Sequence, residues 1–263
     1  MCTSYTYSST SQGVHRTPHH SEEVLMNATR NNARIAAIFY FITWVTSILG
    51  LAMYGPILNH AVYSFGSISK GHIISGAFLE ILAALANIGT GLALYPIVKR
   101  QSESFALGYV VLRTLEAGIM MVGTLPLLSL LTMRRDLPGT VGTIGIESVL
   151  VSMHNYSFIL GPGLVCAFNT MTLAFVLRRS GLVARFIPLL GLVGGALLFV
   201  SATLQLFGVI DQVSKATVFA TIPVFAWEIS LASFLFFRGF KSKALSLLKV
   251  STAERVDEEL LTV

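Results

Sequence analysis

Five ionisable side chains lie inside long apolar runs of this sequence, where charge is rare. Arg113 and Glu116 are three residues apart, Glu228 lies in a later run, and Glu80 and His154 complete the set. A charge at the centre of a bilayer costs about 2.5–3.5 kcal/mol on insertion scales, so each group requires a partner or a water-filled cavity. The chemistry within reach of these residue types is ion pairing, proton binding or cation binding.

Arg113 is the predicted partner of two carboxylates. Residues three apart share a helix face, so its guanidinium can neutralise Glu116 directly. When spans alternate in direction, Glu228 lies within about one helical turn of the same depth. One cation would then face two anions, an imbalance that favours a shared proton or a bound cation. We predict these three residues as an intramembrane charge cluster, with Asn87 and Asn169 as auxiliary polar groups.

Glu80 and His154 form the second predicted pair, because they lie at similar depths in two helices that run in the same direction. A carboxylate can hold an imidazole in one tautomer, an arrangement used in metal ligation and in proton transfer. One His and one Glu are too few for a metal site. Cys2 and Cys166 have no spacing for a disulfide framework or a metal site, so we expect neither a metal nor a cofactor.

The elements that position these residues belong to a chain suited to lipid. Of 263 residues, 54% are hydrophobic and 12% charged, and the mean hydropathy is +0.72. An average soluble domain carries about 25% charged residues. The net charge of +5 comes from Lys and Arg at the ends of apolar runs, where they anchor helices to headgroups. We therefore expect a lipid bilayer as the environment and no nucleic-acid partner.

A helical span needs about 20 apolar residues to cross a bilayer core. This rule predicts an all-α transmembrane bundle of six spans, approximately 34–56, 73–98, 105–132, 149–177, 183–209 and 217–237. The transmembrane domain covers 33–240. It follows a disordered polar tail at 1–32. A second tail at 241–263 is expected to contain a short helix with Ser251 or Thr252 near its N-cap.

Glycines and a proline inside the spans predict local features of the helices. Gly161-Pro162-Gly163 is the candidate for a broken helix that opens onto a cavity. Gly191, Gly194 and Gly195 predict close packing of the fifth span against its neighbours.

The distribution of basic residues predicts the orientation. Thirteen Lys and Arg lie in the tails and in the second and fourth loops, four lie in the other loops, and Arg113 lies within a span. Cytoplasmic loops carry the excess of positive charge, so both termini are expected in the cytoplasm of a plasma membrane protein. The four are Lys70, Arg134, Arg135 and Lys215.

Several short motifs, taken in order, resemble the family of domain of unknown function 4386, which consists of six-span membrane proteins mostly from bacteria. The motifs begin with Arg34-Ile35-Ala36 through Tyr40 and continue with Arg113 and Glu116, His154 through Gly161, Arg179-Ser180-Gly181 through Gly194, Pro223 with Glu228, and Arg238-Gly239-Phe240. The resemblance implies the shared six-span fold in a bacterial plasma membrane, and it implies no activity.

Three hypotheses for the function remain open. In the first, a non-enzymatic membrane protein binds or moves a small ligand, lipid or proton through Arg113, Glu116 and Glu228. In the second, an intramembrane enzyme uses His154 as base and Glu80 to orient it, although no nucleophile motif accompanies them. In the third, the charges only hold helices together or stabilise an unidentified protein partner, since buried polar contacts also stabilise bundles.

Overall fold

A computed structural model describes residues 18–59, 70–136 and 143–248. Within these ranges six helical spans are long and apolar enough to cross a membrane, which confirms the predicted all-α bundle. The spans are formed by α1 (Pro18–Asn59), α2 (Lys70–Val98), α3 (Glu103–Asp136), α4 (Thr143–Phe158) with a π-helical segment (Ile159–Val165) and α5 (Cys166–Ser180), α6 (Phe186–Leu206), and α7 (Lys215–Phe237).

The spans form a closed ring. Each packs against the next in the chain, and α1 also packs against α7, so the last helix returns to the first. Long apolar side chains such as Leu92, Val122 and Phe219 are exposed on the outside, as expected for groups in contact with lipid tails. The charged and amide side chains of the predicted sites are turned inward, and all of them are buried except Glu228, which is partly exposed.

Local sequence fixes where a helix ends or begins at two of the short connections. Gly181 follows α5 with a φ of 64°, a left-handed conformation that glycine adopts without steric cost. Ser214 caps α7, and its hydroxyl accepts a hydrogen bond from the backbone N–H of Thr217. These two ends allow α6 and α7 to follow their predecessors through short connections.

The described parts of the two predicted tails, 18–32 and 241–248, contain helices. α1 begins at Pro18, so the second half of the polar stretch at 1–32 is helical. Thr29 is buried and accepts a hydrogen bond from Arg100 at 3.4 Å, which holds this turn against the α2–α3 connection. After α7, residues 242–248 form a short helix in which Leu245 and Leu248 are buried against the bundle. Residues 1–17 and the predicted cap at Ser251 or Thr252 lie outside the described residues.

The fourth span is widened into a π-helix rather than broken at Gly161-Pro162-Gly163. Pro162 has no backbone N–H, so it cannot make the usual helical bond, and the Cys166 N–H bonds to the Gly161 carbonyl five residues back. A Cβ on Gly163 would lie 2.9 Å from Ala202 of α6, and one on Gly161 would lie 3.1 Å from Ile119 of α3. The glycines therefore serve close packing here, and the prediction of an opening was wrong at these residues.

The glycines of α6 let two neighbouring helices approach closely. A Cβ on Gly191 would lie 2.7 Å from the Trp227 ring, and one on Gly194 would lie 2.8 Å from the Val224 backbone nitrogen, both in α7. On the other side, Gly195 would meet Met171 of α5 at 2.6 Å. Such distances exclude any side chain, so α6 fits between α5 and α7 through its small residues, as predicted.

Candidate functional site

The Arg113 guanidinium lies at the centre of a buried polar cluster. Its Nη1 atom is 3.2 Å from Oε2 of Glu116, and Nη2 is 3.5 Å from Oε1 of Glu228. Nη1 also donates to Asn87 Oδ1 at 3.0 Å. Three helices, α2, α3 and α7, thus supply the partners. The structure brings the predicted cluster together, with Asn87 bound directly to the cation.

Gly91 lies at the contact between α2 and α3. Gly91 packs against Arg113, and a Cβ there would lie 3.4 Å from the arginine Cβ and 3.6 Å from the Val110 Cα. Asn87 lies one turn earlier on the same helix, so the close contact at Gly91 brings its amide within reach of the guanidinium.

Two tyrosines complete the surroundings of the cation, and neither was predicted from the sequence. Arg113 Nε donates to the Tyr109 hydroxyl at 3.2 Å, and that hydroxyl lies 3.0 Å from the hydroxyl of Tyr40. The Arg113 Cζ atom lies 5.3 Å from the Tyr40 ring centroid, within cation–π range. The spacing of four residues between Tyr109 and Arg113 was a clue in the sequence. Tyr40, on α1, had no comparable local indication.

The two carboxylates differ in their surroundings. Glu116 is enclosed, and its Oε2 atom accepts hydrogen bonds from Arg113 and from the Asn169 amide of α5. The Glu228 side chain is 14% exposed, against 4% for Glu116. Hydrogen-bond donors of the protein therefore compensate the charge of Glu116 better than that of Glu228. The Glu228 side chain borders accessible space.

Trp44 of α1 marks the same side of the cluster. It lies one turn after Tyr40, and its ring contacts Phe225, one turn before Glu228, with centroids 4.9 Å apart. The indole N–H is buried and has no acceptor among the described residues. An indole N–H usually finds a hydrogen-bond partner when buried. The unused indole donor therefore lies in a layer about one helical turn from the more accessible carboxylate.

His154 and Glu80 are also neighbours, as their depths predicted. His154 Nε2 lies 3.6 Å from Glu80 Oε1, and both side chains are buried. His154 Nδ1 lies 2.9 Å from the Gly123 carbonyl of α3. A carbonyl only accepts, so Nδ1 carries the proton and donates to it. The backbone of α3, not Glu80, sets the tautomer, a contact that the sequence did not indicate.

A serine hydroxyl lies on the same helix as His154 but is not bonded to its ring. The hydroxyl of Ser157, one turn along the helix, donates to the His154 backbone carbonyl at 2.7 Å rather than to the ring. Within the described ranges, no group of three or more His, Cys, Asp or Glu side chains has the geometry to hold a metal ion.

Comparison with known families supports the resemblance noted in the sequence. A family model described as "Domain of unknown function (DUF4386)" matches residues 35–239. The matched range covers most of the chain and includes every residue of the two polar sites. Comparisons with curated proteins and with solved structures gave no match.

Proposed function

Because the chain belongs to the family of domain of unknown function 4386, whose description assigns no activity, we propose a function from the buried charges. The protein is a non-enzymatic multi-pass membrane protein that binds one exchangeable proton at Arg113, Glu116 and Glu228. Proton-coupled transport or sensing would follow from such a site.

A single observation carries this proposal: one guanidinium lies within 3.2 and 3.5 Å of two separate carboxylates in the membrane interior. With both carboxylates ionised, the cluster would hold one uncompensated negative charge. The penalty for such a charge in a low-dielectric interior is several kcal/mol. Binding a proton removes this charge without moving any helix.

The surroundings favour Glu228 as the proton-binding residue. Glu116 accepts two donors, Arg113 and Asn169, and is sealed from solvent, so its charge is the better compensated. Glu228 has one contact with the arginine, at 3.5 Å, and its side chain is partly accessible. The unused indole donor of Trp44 supports a small polar occupant on this side, through which a proton would reach the carboxylate.

We also propose the plasma membrane as the location, with both termini in the cytoplasm. Ten basic residues of the described chain lie at one end of the bundle, where α1, α3 and α6 begin and α2, α5 and α7 end. The positive-inside rule assigns this end to the cytoplasm. The chain ends predicted as tails, 1–32 and 241–263, then lie on that side. Labelling of single cysteines placed before α1 and in the α2–α3 connection tests the orientation, and opposite accessibility of the two would contradict it.

The test of proton binding compares Glu228→Gln with Glu103→Gln in purified protein in detergent. Glutamine keeps the size of the side chain but cannot titrate. A folded state that holds one proton more than the unfolded chain loses stability as pH rises, by at most about 1.4 kcal/mol per pH unit. We expect the Glu228 variant to lack this component of the pH dependence of thermal unfolding. The exposed Glu103 variant should follow the parent.

Infrared spectroscopy provides a direct second measurement. A protonated buried carboxyl group has a C=O stretching band that an ionised carboxylate lacks. We expect absorption of this kind in the parent protein near neutral pH and the loss of one carboxyl component, that of Glu228, in Glu228→Gln. Unfolding curves that stay parallel at every pH, together with an unchanged infrared spectrum, would overturn the proposal and leave the cluster as a structural ion-pair network.

A further inference from the structure

A cavity of about 330 Å³ lies at the basic end of the bundle, away from the buried charges. It is formed where the α2–α3 connection meets the last turn of α5. These are the ends of membrane spans, so the cavity lies at the boundary between the apolar core and the headgroup region. Its lining consists of Gln101, Ser102, Phe105, Phe175, Val176 and Arg179.

The lining has an apolar part and a polar part. The rings of Phe105 and Phe175 pack with centroids 5.4 Å apart and are 42% and 41% exposed, so they form an apolar floor on the lipid-facing surface. The polar groups are the side chains of Gln101, Ser102 and Arg179, which come from the connection and from the end of α5. An amphipathic molecule matches this division better than a free ion does.

The charge of the cavity is positive. Arg179 is exposed and forms no ion pair with another residue that the structure describes. The neighbouring carboxylate, Glu103, is held by Lys99 at 2.8 Å, so it is not directed to the arginine. The hydrogen bond with Glu103 raises the pKa of the Lys99 ammonium, so this group stays charged. A guanidinium, an amide and a hydroxyl are all able to donate hydrogen bonds to phosphate oxygens.

We propose that this cavity binds an anionic phospholipid. The lipid phosphate accepts hydrogen bonds from Arg179, and Gln101 and Ser102 supply further donors. The acyl chains lie along Phe105 and Phe175 toward the bilayer interior. Membrane leaflets with anionic lipids attract basic segments at the cytoplasmic side, and this end of the bundle carries the excess of basic residues. The lipid would connect the start of α3 with the end of α5.

The binding test uses delipidated full-length protein in detergent, titrated with phosphatidylglycerol or phosphatidylcholine and followed by native mass spectrometry. We expect tighter retention of phosphatidylglycerol and about a fivefold weaker affinity for it in Arg179→Gln. The matched control is Arg178→Gln, because Arg178 is adjacent, exposed and in the same last turn of α5 but does not line the cavity. The affinity of the Arg178→Gln variant for phosphatidylglycerol should change less than about twofold. Arg179→Lys, which keeps the charge, should restore part of the loss.

A second arm separates the lipid from free phosphate. Phosphatidylglycerol should raise the melting temperature of the parent but not of Arg179→Gln, since a ligand that binds only the folded state stabilises it. Inorganic phosphate alone should have no such effect. The proposal is overturned by equal losses in the two glutamine variants, by equal retention of the two lipids, or by full stabilisation with inorganic phosphate.

Discussion

The Arg113 cluster and the Glu80–His154 pair are two polar regions in one apolar bundle, and they are built differently. In the first, one cation contacts two carboxylates, and side chains of α1, α2, α3, α5 and α7 contribute to the network. In the second, one imidazole contacts one carboxylate, and its other nitrogen is bound by the backbone of α3.

Accessibility decides which of the two regions can exchange a proton with its surroundings. The Arg113 cluster has a fixed positive charge and a surplus carboxylate, so it gains a proton or cation to become neutral. The Glu80–His154 pair also becomes neutral by binding one proton, which lies between Glu80 and His154 Nε2 because Nδ1 already donates to the Gly123 carbonyl. Both of its side chains are buried, whereas Glu228 of the first region is 14% exposed. The first region is therefore the candidate for exchange with the surroundings, and the second is suited to holding α2, α3 and α4 together.

The largest effect is expected from removing the cation. Arg113→Met leaves two carboxylates in the interior without their counter-charge, and we expect a loss of about 3–5 kcal/mol in the free energy of unfolding. Denaturant titration in detergent measures this loss. Adding Glu116→Gln and Glu228→Gln to the same chain should restore most of the stability. A single Arg113→Met variant as stable as the parent would contradict the central role of the arginine.

In the region of Glu80 and His154, the largest loss of stability is expected from a substitution at Gly123. A Cβ at this position would lie 1.9 Å from Ser157 Oγ and 2.8 Å from its Cβ, so Gly123→Ala pushes α4 from α3 and disturbs the acceptor of His154. We expect a loss of about 1–3 kcal/mol, measured by the same titration. Gly118→Ala, on the same helix, is the control because nothing lies within 4 Å of its Cβ. It should be neutral or slightly stabilising. Equal behaviour of the two variants would refute the close contact.

The smallest effect is expected from substitutions that test which ring nitrogen of His154 carries the proton. His154→Asn keeps a donor near the Gly123 carbonyl, whereas His154→Leu removes it, so the leucine variant should be less stable by about 1 kcal/mol. Neither variant should change the proton-linked infrared band assigned to Glu228. If His154→Leu abolished that band, the two regions would share one proton network and would not be independent of each other.

Much of the fold follows from local sequence. The lengths of the apolar runs gave six spans with ends within a few residues of those observed, except that α1 and the fourth span start earlier. The early start of α1 is explained by the burial of Thr29 and Ala33 against other elements, which the polarity of that stretch concealed. The π-helical segment shows the same limit, because Pro162 and its flanking glycines fit a break or a bulge equally well.

The sequence predicted the residues of the candidate sites from their depths in the bilayer. It did not predict toward which neighbouring helix each side chain points. Position along a helix fixes depth in the bilayer, so Arg113 with Glu228 and Glu80 with His154 could be matched before any packing was known. Which helices are neighbours, and how each is rotated, depends on contacts such as that of Gly91 with Arg113. For this reason Tyr40, Trp44 and the Gly123 carbonyl were found only in the structure.

The sequence by itself determined that the chain is a six-span helical membrane protein with unbalanced charge in its interior, since apolar length and the cost of buried charge are local properties. The tertiary structure alone decided which donors surround each carboxylate and that Glu228 is the more accessible of the two. It also decided that Phe105, Phe175 and Arg179 enclose one cavity. These features require helices distant in the sequence to pack at particular rotations, and small residues throughout the bundle set those rotations.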